Sequence, residues 1–414
     1  MKNKWILFVI VFVVLCIFLS ISLKNNDNKL FLGNRKIEEQ LPLQFQQLNR
    51  LYTSFGDDFS KKLFFAKLEE DLKGSFLPML KIMLSPEFER FTSDLSSIAE
   101  DEAVSNILDY LKRRKSGRGC YIFGSQYGLL LGSEYINCLK TLGIKFISVV
   151  IKDNQNPEVK KLKNVFPDIN IIRENDFLNN YKNEDIILSS IDWKKGKNWL
   201  IKNGISRDKI VVLFDFFCPQ YFPKDIMIPK EHEIFIDGGA FNMDSSIDFI
   251  NWCNGKYDYI YAFEPDLNSY KNCKNVIQDN DVFDREERIM LYNKGLFDQA
   301  TQLRFNSDQD NPFGSCISND GESIINTVSI DEALDGKPAT LIKMDIEGCE
   351  LKALIGAKNT IRKYKPRLVI SIYHKPSDII DIPLYILSLV PEYKLYIRHY
   401  STASWETVLY CVCD

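Results

Sequence analysis

Phe235-Ile-Asp-Gly-Gly-Ala-Phe-Asn-Met-Asp244 is the stretch that decides the fold. An apolar run enters Asp237, two glycines follow, and a helical pattern begins near Asp244. Glycines let the backbone approach a ligand closely, and a helix N-terminus offers free N–H groups. The next apolar run, DYIYAF, ends in Phe263-Glu264-Pro265-Asp266. An acid at the end of a second strand can accept both hydroxyls of a ribose, as in dinucleotide-binding sheets. Neither segment carries a basic residue for a pyrophosphate. The pair therefore points to adenosine attached to something other than phosphate, a description S-adenosylmethionine fits. Alone, DGGA reads as a tight strand-to-helix turn; joined to FEPD it reads as a ligand site.

Outward from this motif the pattern is regular from 229 to 414. Strands are expected at EIFIDG, DYIYAFE, RIMLYNKGL, ATLIKMDIE, RLVISIY, YKLYIRH and ETVLYCVC, with helices at 244–255, 266–278, 349–364 and 377–389. No helical pattern separates the last two strands, so they are expected to pair as a hairpin. Five βα units followed by an antiparallel pair is the layout of a class I, Rossmann-like, seven-stranded methyltransferase sheet.

The segments IDGGAFNMD, AFEPD, NKGLF, IKMDIEGCELKALIGAKNTI, KPRLVISIYHKPSDIIDIPLYI and YIRHYS…ETVLY together resemble the FkbM family of S-adenosylmethionine-dependent methyltransferases, over residues 233–413. The K-x-D-x-E-G-x-E run of Lys343, Asp345, Glu347, Gly348 and Glu350 is far more specific than the glycine turn. The resemblance implies S-adenosylmethionine as cofactor, with Asp237 and Gly239, and beside them Ala240 and Asp244, in the cofactor loop, and Glu264 at the ribose. One departure stands out: Met243 occupies a position where the family's loop usually has glycine.

The resemblance does not assign the catalytic step, which must come from placement. In open α/β sheets ligands lie outside the carboxyl ends of the strands. Asp345 and Glu347 end the fourth strand of this half, and Tyr373 and His374 end the fifth. The catalytic candidates are accordingly Glu347, His374 and Asp345. His374 has a suitable pKa for taking a hydroxyl proton, and Glu347 or Asp345 could serve if desolvated. The same cluster could instead hold a divalent metal, or the two acids could cap the following helix; no metal ligand set is assigned. His399, within Arg398-His399-Tyr400, reads as a substrate-side strand end, and His232 as structural.

Residues 119–228 show a second βα alternation, with YIFG, KFISVVI, INIIRE, DIILSS and KIVVLFDF as strands. Gly124, Gly128 and Gly132, with Asp153 further on, imitate a dinucleotide fingerprint, but Gln126 sits where a close-approach glycine is wanted. This Rossmann-like domain is read as structural or degenerate, against the alternative of a nucleotide-sugar binder. Residues 24–118 read as a helical region ending in the basic run LKRRKSGRG. Trp5 to Leu23 is an uncharged run of 19 residues, flanked by lysines. As a helix it would span roughly 28 Å, enough for a single transmembrane anchor; the competing reading is a signal peptide.

With 52 Lys+Arg against 56 Asp+Glu and a net charge of −4, the chain lacks the footprint of a nucleic-acid binder. Nine cysteines beyond the apolar run are scattered through apolar segments, as reduced core thiols are. Together with a slight Lys/Arg excess after residue 23, they place the expected soluble part on the cytosolic side of a membrane. The function expected is membrane-anchored O-methylation of a hydroxyl on a small-molecule or glycan acceptor, namely a sugar in a glycan or glycolipid. A catalytically silent scaffold on the same fold is the alternative. The oligomeric state is not legible.

Overall fold

The structure is a computed structural model. It describes residues 43–413 except 98, 100–101, 103, 114–118, 125–132, 153–159, 161–162, 165, 191–192, 307–315 and 318–319. The apolar run 5–23 therefore lies outside the described residues, as do Gln126, Gly128, Gly132 and Asp153 of the fingerprint. Among the described residues no helix is long and apolar enough to cross a membrane. The chain divides into two compact units, up to Ser54 and from Phe55 onward. The described part of the first is the helix Leu43–Ser54.

The second unit contains two large sheets. The first is wholly parallel: β1 (Ser105–Asn106), β2 (Gly119–Phe123), β3 (Lys145–Ile151), β4 (Ile171–Arg173), β5 (Asp185–Leu188) and β6 (Ile210–Val212) lie in the order β1-β6-β5-β2-β3-β4. Apart from the Ser105–Asn106 edge its strands are largely apolar, as buried parallel strands are. Tyr121 and Phe123 pack against Phe177 of helix Glu174–Asn180, and Phe123 against Trp199 of helix Trp193–Lys202. The stretch read as purely helical upstream also supplies strands. Ser105–Asn106 is the sheet edge, and Ser96–Ser97 pairs antiparallel with Phe217–Cys218. Two-residue strands carry no periodicity, so the pattern could not show them.

The second sheet contains β7 (Glu233–Gly238), β8 (Tyr257–Phe263), β9 (Ile289–Tyr292), β10 (Leu341–Met344), β11 (Arg367–Ser371), β12 (Lys394–His399) and β13 (Thr407–Val412), in the order β9-β8-β7-β10-β11-β13-β12. Only β13 runs antiparallel to its neighbours, and it pairs with β12 as the expected hairpin. The seven expected strands are all present. The expected helix over 349–364 is two, Glu350–Ile355 and Lys358–Tyr364. The break falls at Gly356, where a Cβ would lie 2.2 Å from the Phe297 carbonyl. That carbonyl directly follows Gly295–Leu296, which joins Ser323–Val328, Gln302–Asn306 and Cys316–Ile317 in a small four-stranded sheet whose last three strands no sequence pattern announced.

Buried ion pairs pin the second sheet at both ends. At its amino end Glu233 holds Arg367 and Thr340, joining β7 to β11. At its carboxyl end Lys343 Nζ, in β10, reaches Asp237 Oδ1 of β7 at 3.1 Å. The two halves of the unit are stitched along β12 and the turn after it. Thr402 donates its N–H to the Asp215 carbonyl (2.9 Å), Asp215 returns its own N–H to Thr402 Oγ1 (2.8 Å), and Phe217 donates to the Tyr400 carbonyl (2.8 Å).

Candidate active site

The sheet order reverses between β7 and β10, so the crevice at their carboxyl ends is where an open sheet of this kind accepts ligands. The loop after β7 forms one wall. Gly239 has φ +76, and a Cβ there would lie 2.0 Å from the Asp345 carbonyl, so only glycine lets the two strand ends approach. Lys343 Nζ donates to the Gly238 and Gly239 carbonyls at 3.1 and 2.8 Å, fastening the loop from below. Asp237 is fully buried and accepts from Lys343 and, at 2.7 Å each, from the hydroxyls of Ser245 and Ser246. Its carboxylate thus orders the loop and the start of helix Asp244–Trp252. Ala240 is buried in the loop, while Asp244 is exposed and hydrogen-bonded to Asn242. Met243, the departure noted in the sequence, has φ +69 and is completely buried. A left-handed residue at that point is what a glycine would supply without strain.

Glu264 stands opposite this loop at the end of β8. It is 6 % exposed, and each of its oxygens accepts one backbone N–H: Oε2 from Phe241 at 2.9 Å, Oε1 from Asp266 at 2.8 Å. Burial pushes its carboxyl up to about 7 against the pull of those two bonds. One lone pair on each oxygen stays available, which is the donor–acceptor arithmetic two ribose hydroxyls require. Lys343, beneath the loop, is spent on Asp237 and two carbonyls and is not free to meet a pyrophosphate.

The other wall is acidic. Asp345, Glu347 and His374 come together, as their places at the strand ends predicted. His374 Nε2 lies 3.5 Å from Asp345 Oδ1 and 3.4 Å from Glu347 Oε2. A third carboxylate, Glu350, was quoted in the motif without a role. It is buried, accepts the Ile346 N–H at 2.9 Å, and places Oε1 3.0 Å from His374 Nδ1. Burial works against a charge on His374, but Glu350, then Asp345 and Glu347, outweigh it and hold the imidazole at about 9. Burial pushes Glu347 to about 7, with His374 opposing. Glu347 sits at φ +55, an uncommon conformation for a non-glycine residue and one that clusters at functional sites.

Gln220 and Tyr221 from the segment before β7, with Tyr373 and Glu406, complete the wall. Tyr221, in the segment leading into β7, donates its hydroxyl to Asp345 Oδ2 at 2.7 Å and lays its ring 5.0 Å from Lys343 Nζ. Tyr373 donates to Asp345 Oδ1 at 3.2 Å. Gln220 donates to Glu406 at 2.9 Å, and burial followed by the Asp345 charge raises Glu406 to about 8. Nothing in the sequence marks Tyr221, because its partner lies over a hundred residues away.

The Arg398-His399-Tyr400 stretch is not on the substrate side. Arg398 is buried between Asp57 and Asp225, at 2.7 Å from each. His399 is completely buried beside Thr407, and Tyr400 bonds the Tyr410 hydroxyl. The helix Asp58–Lys73 covers this strand, as shown by Ser60 Oγ accepting the Ile397 N–H. His232 is exposed and pairs with Asp258 at 3.1 Å.

Residues 237–397 match a family model, that of the methyltransferase FkbM domain. These residues form an FkbM methyltransferase domain. Solved structures similar to the chain include a methyltransferase FkbM from Methylobacillus flagellatus KT, at 18% identity, TM-score 0.45, over 80% of this chain and 99% of that one. An rRNA methylase from Streptococcus thermophilus is similar at 13% identity, TM-score 0.29, over 45% and 90%. Aeropyrum pernix fibrillarin with natively bound S-adenosyl-L-methionine is similar at 11% identity, TM-score 0.29, over 45% and 70%. Likeness at that level says nothing about chemistry. No curated protein matches the sequence. The matched segment begins at the end of β7 and ends in strand β12, so Tyr221 and Glu406 lie beyond it on either side.

Proposed function

We propose that the chain is an S-adenosylmethionine-dependent methyltransferase acting on a hydroxyl of a small-molecule or glycan acceptor. The observation that carries this reading is the pairing of two walls at one sheet edge: Glu264 with a free lone pair on each oxygen, and the Asp345–Glu347–His374 cluster opposite. Glu264 and the 239–243 loop would hold the adenosine end, and the bound cofactor supplies an electrophilic methyl group. Asp237 and Lys343 would keep the loop in shape from beneath. Glu347, whose side chain keeps 35% exposure, faces the acceptor and takes its proton, with His374 and Asp345 set around it. The apolar run 5–23 is the proposed tether, bringing the site to a membrane-borne acceptor.

The test uses labelled S-adenosylmethionine with cell-envelope extracts, alongside calorimetry of cofactor binding. Glu264→Ala is expected to abolish binding, since charge-assisted hydrogen bonds of this kind contribute about 1.5–3 kcal/mol each. Glu347→Gln and His374→Ala are expected to bind within a few-fold of normal yet lose turnover by about 10²–10⁴-fold. Unchanged affinity in the first variant, or normal turnover in the other two, refutes the assignment. The buried, left-handed Met243 favours one second reading, a silent scaffold on the same fold; a wild-type chain with no cofactor affinity would establish it.

A further inference from the structure

We infer that Asp345, Glu350 and His374 form a binding site for one divalent cation. Each offers a ligand atom, and the three atoms lie within 4.8 Å of one another, on the end of β10, the first turn of helix Glu350–Ile355 and the segment after β11. Three separate elements thus converge on one point.

The independent sign of a ligand is what these side chains lack. His374 is 9% exposed, and neither ring nitrogen has a hydrogen-bond partner, although carboxylate oxygens lie within 3.0–3.5 Å. The contacts are close but do not form hydrogen bonds, and a neutral imidazole keeps a lone pair on one ring nitrogen that can face an ion. Glu350 is 1% exposed at its side chain, and its Oε2 is also unpartnered. Buried polar atoms are almost always satisfied, so two such groups facing each other suit a ligand between them. Charge points the same way. Asp345, Glu347 and Glu350 surround a single imidazole, which leaves the nest net negative whichever form the imidazole takes. Carboxylates packed this closely into low dielectric are costly without a cation.

The donor set chooses the class of ion. Two carboxylates and one imidazole, with no thiolate among them, suit a hard to borderline dication such as Mn²⁺ or Mg²⁺, which completes its shell with water. Glu347 stays outside the ligand set, half-exposed at the mouth. A cation here would stand beside the acceptor and acidify its hydroxyl; that role rests on the methyl-transfer reading above, whereas the site itself does not.

The full chain, freed of metal with a chelator, is titrated with Mn²⁺ and followed by electron paramagnetic resonance. The expected result is loss of the free-ion signal up to one equivalent, reversed by excess Mg²⁺ or Zn²⁺. His374→Ala and Asp345→Asn should each weaken binding by at least about tenfold. Asp345→Asn keeps the side chain's shape, and thermal melting of both variants guards against misfolding. A free-ion signal undiminished by the wild-type chain overturns the site, as does unchanged binding in both folded variants. Cofactor calorimetry on the same samples separates the two claims. A chain that binds S-adenosylmethionine but no Mn²⁺ loses only the metal site. One that binds Mn²⁺ but no cofactor keeps the site and loses the methyl-transfer reading.

Discussion

Replacing Lys343 with methionine tests whether the cofactor loop is held from below. The Nζ makes three contacts, to Asp237 Oδ1 at 3.1 Å and to the Gly238 and Gly239 carbonyls at 3.1 and 2.8 Å. Both charged side chains are almost fully buried, at 3% and 0% exposure. Methionine preserves most of the stem but leaves the Asp237 carboxylate without its counter-charge. Breaking a buried pair in this way costs about 3–5 kcal/mol. Asp237 keeps the Ser245 and Ser246 hydroxyls, which sets the expectation at the lower end, about 3 kcal/mol. Adding Asp237→Asn removes the stranded charge, so the double variant should recover a coupling energy of about 1–3 kcal/mol relative to the sum of the singles. Denaturant unfolding of the wild type, both singles and the double measures the cycle. Additive singles, or a loss under about 1 kcal/mol for Lys343→Met, would refute the claim that this pair pins the loop.

Two further outcomes follow from buried groups away from the crevice. Arg398→Met should destabilise the fold by about 2–4 kcal/mol, because it removes two charge-assisted bonds and leaves Asp57 and Asp225 unpaired; cofactor affinity should not change, and a selective loss of affinity would return this strand to the substrate side. His399 should make the fold acid-sensitive. Burial, then the Lys67 ammonium, depresses its pKa from 6.5 to about 3, so its contribution to stability is complete above 6.5 and is lost as pH falls from there towards 3. At pH 4.5 the loss amounts to about 2–3 kcal/mol. Comparing wild type with His399→Gln by denaturant unfolding at pH 7.5 and 4.5 isolates it from the carboxylates that titrate in the opposite sense, among them Glu70. A stability difference between the two proteins that does not change with pH would refute it.

The strands and the order of their chemistry were legible because each was a continuous apolar run ending in a polar residue. Glu264, Asp345, Glu347 and His374 could be placed at one sheet edge from that alone. What the chain did not disclose was partnership across distance. Glu350 looked like a helix residue until its carboxylate was seen against His374. Lys343 looked like one letter of a motif until its ammonium was found under the loop. The four-stranded sheet escaped because its strands are two to six residues long and pair across a wide gap. Arg398 to Tyr400 misled for the opposite reason. Polar residues at a strand end resemble a binding edge, but the cover over them comes from Asp57 and Ser60, far upstream.

The stitching of residues 213–222 bears on how such a chain can be cut and recombined. A fragment starting at Glu233 would carry the whole matched domain, yet Asp345 Oδ2 would lose the Tyr221 hydroxyl and Glu406 the Gln220 amide. It would also bare Thr402, whose N–H and hydroxyl both face Asp215. Genetic exchange at the domain boundary would therefore pass on the 239–243 loop intact while leaving behind the Tyr221 and Gln220 side of the acidic wall. The geometry of the Asp345 carboxylate in such a lineage would depend on the upstream half, and a transplant that preserves these contacts must begin before Leu213.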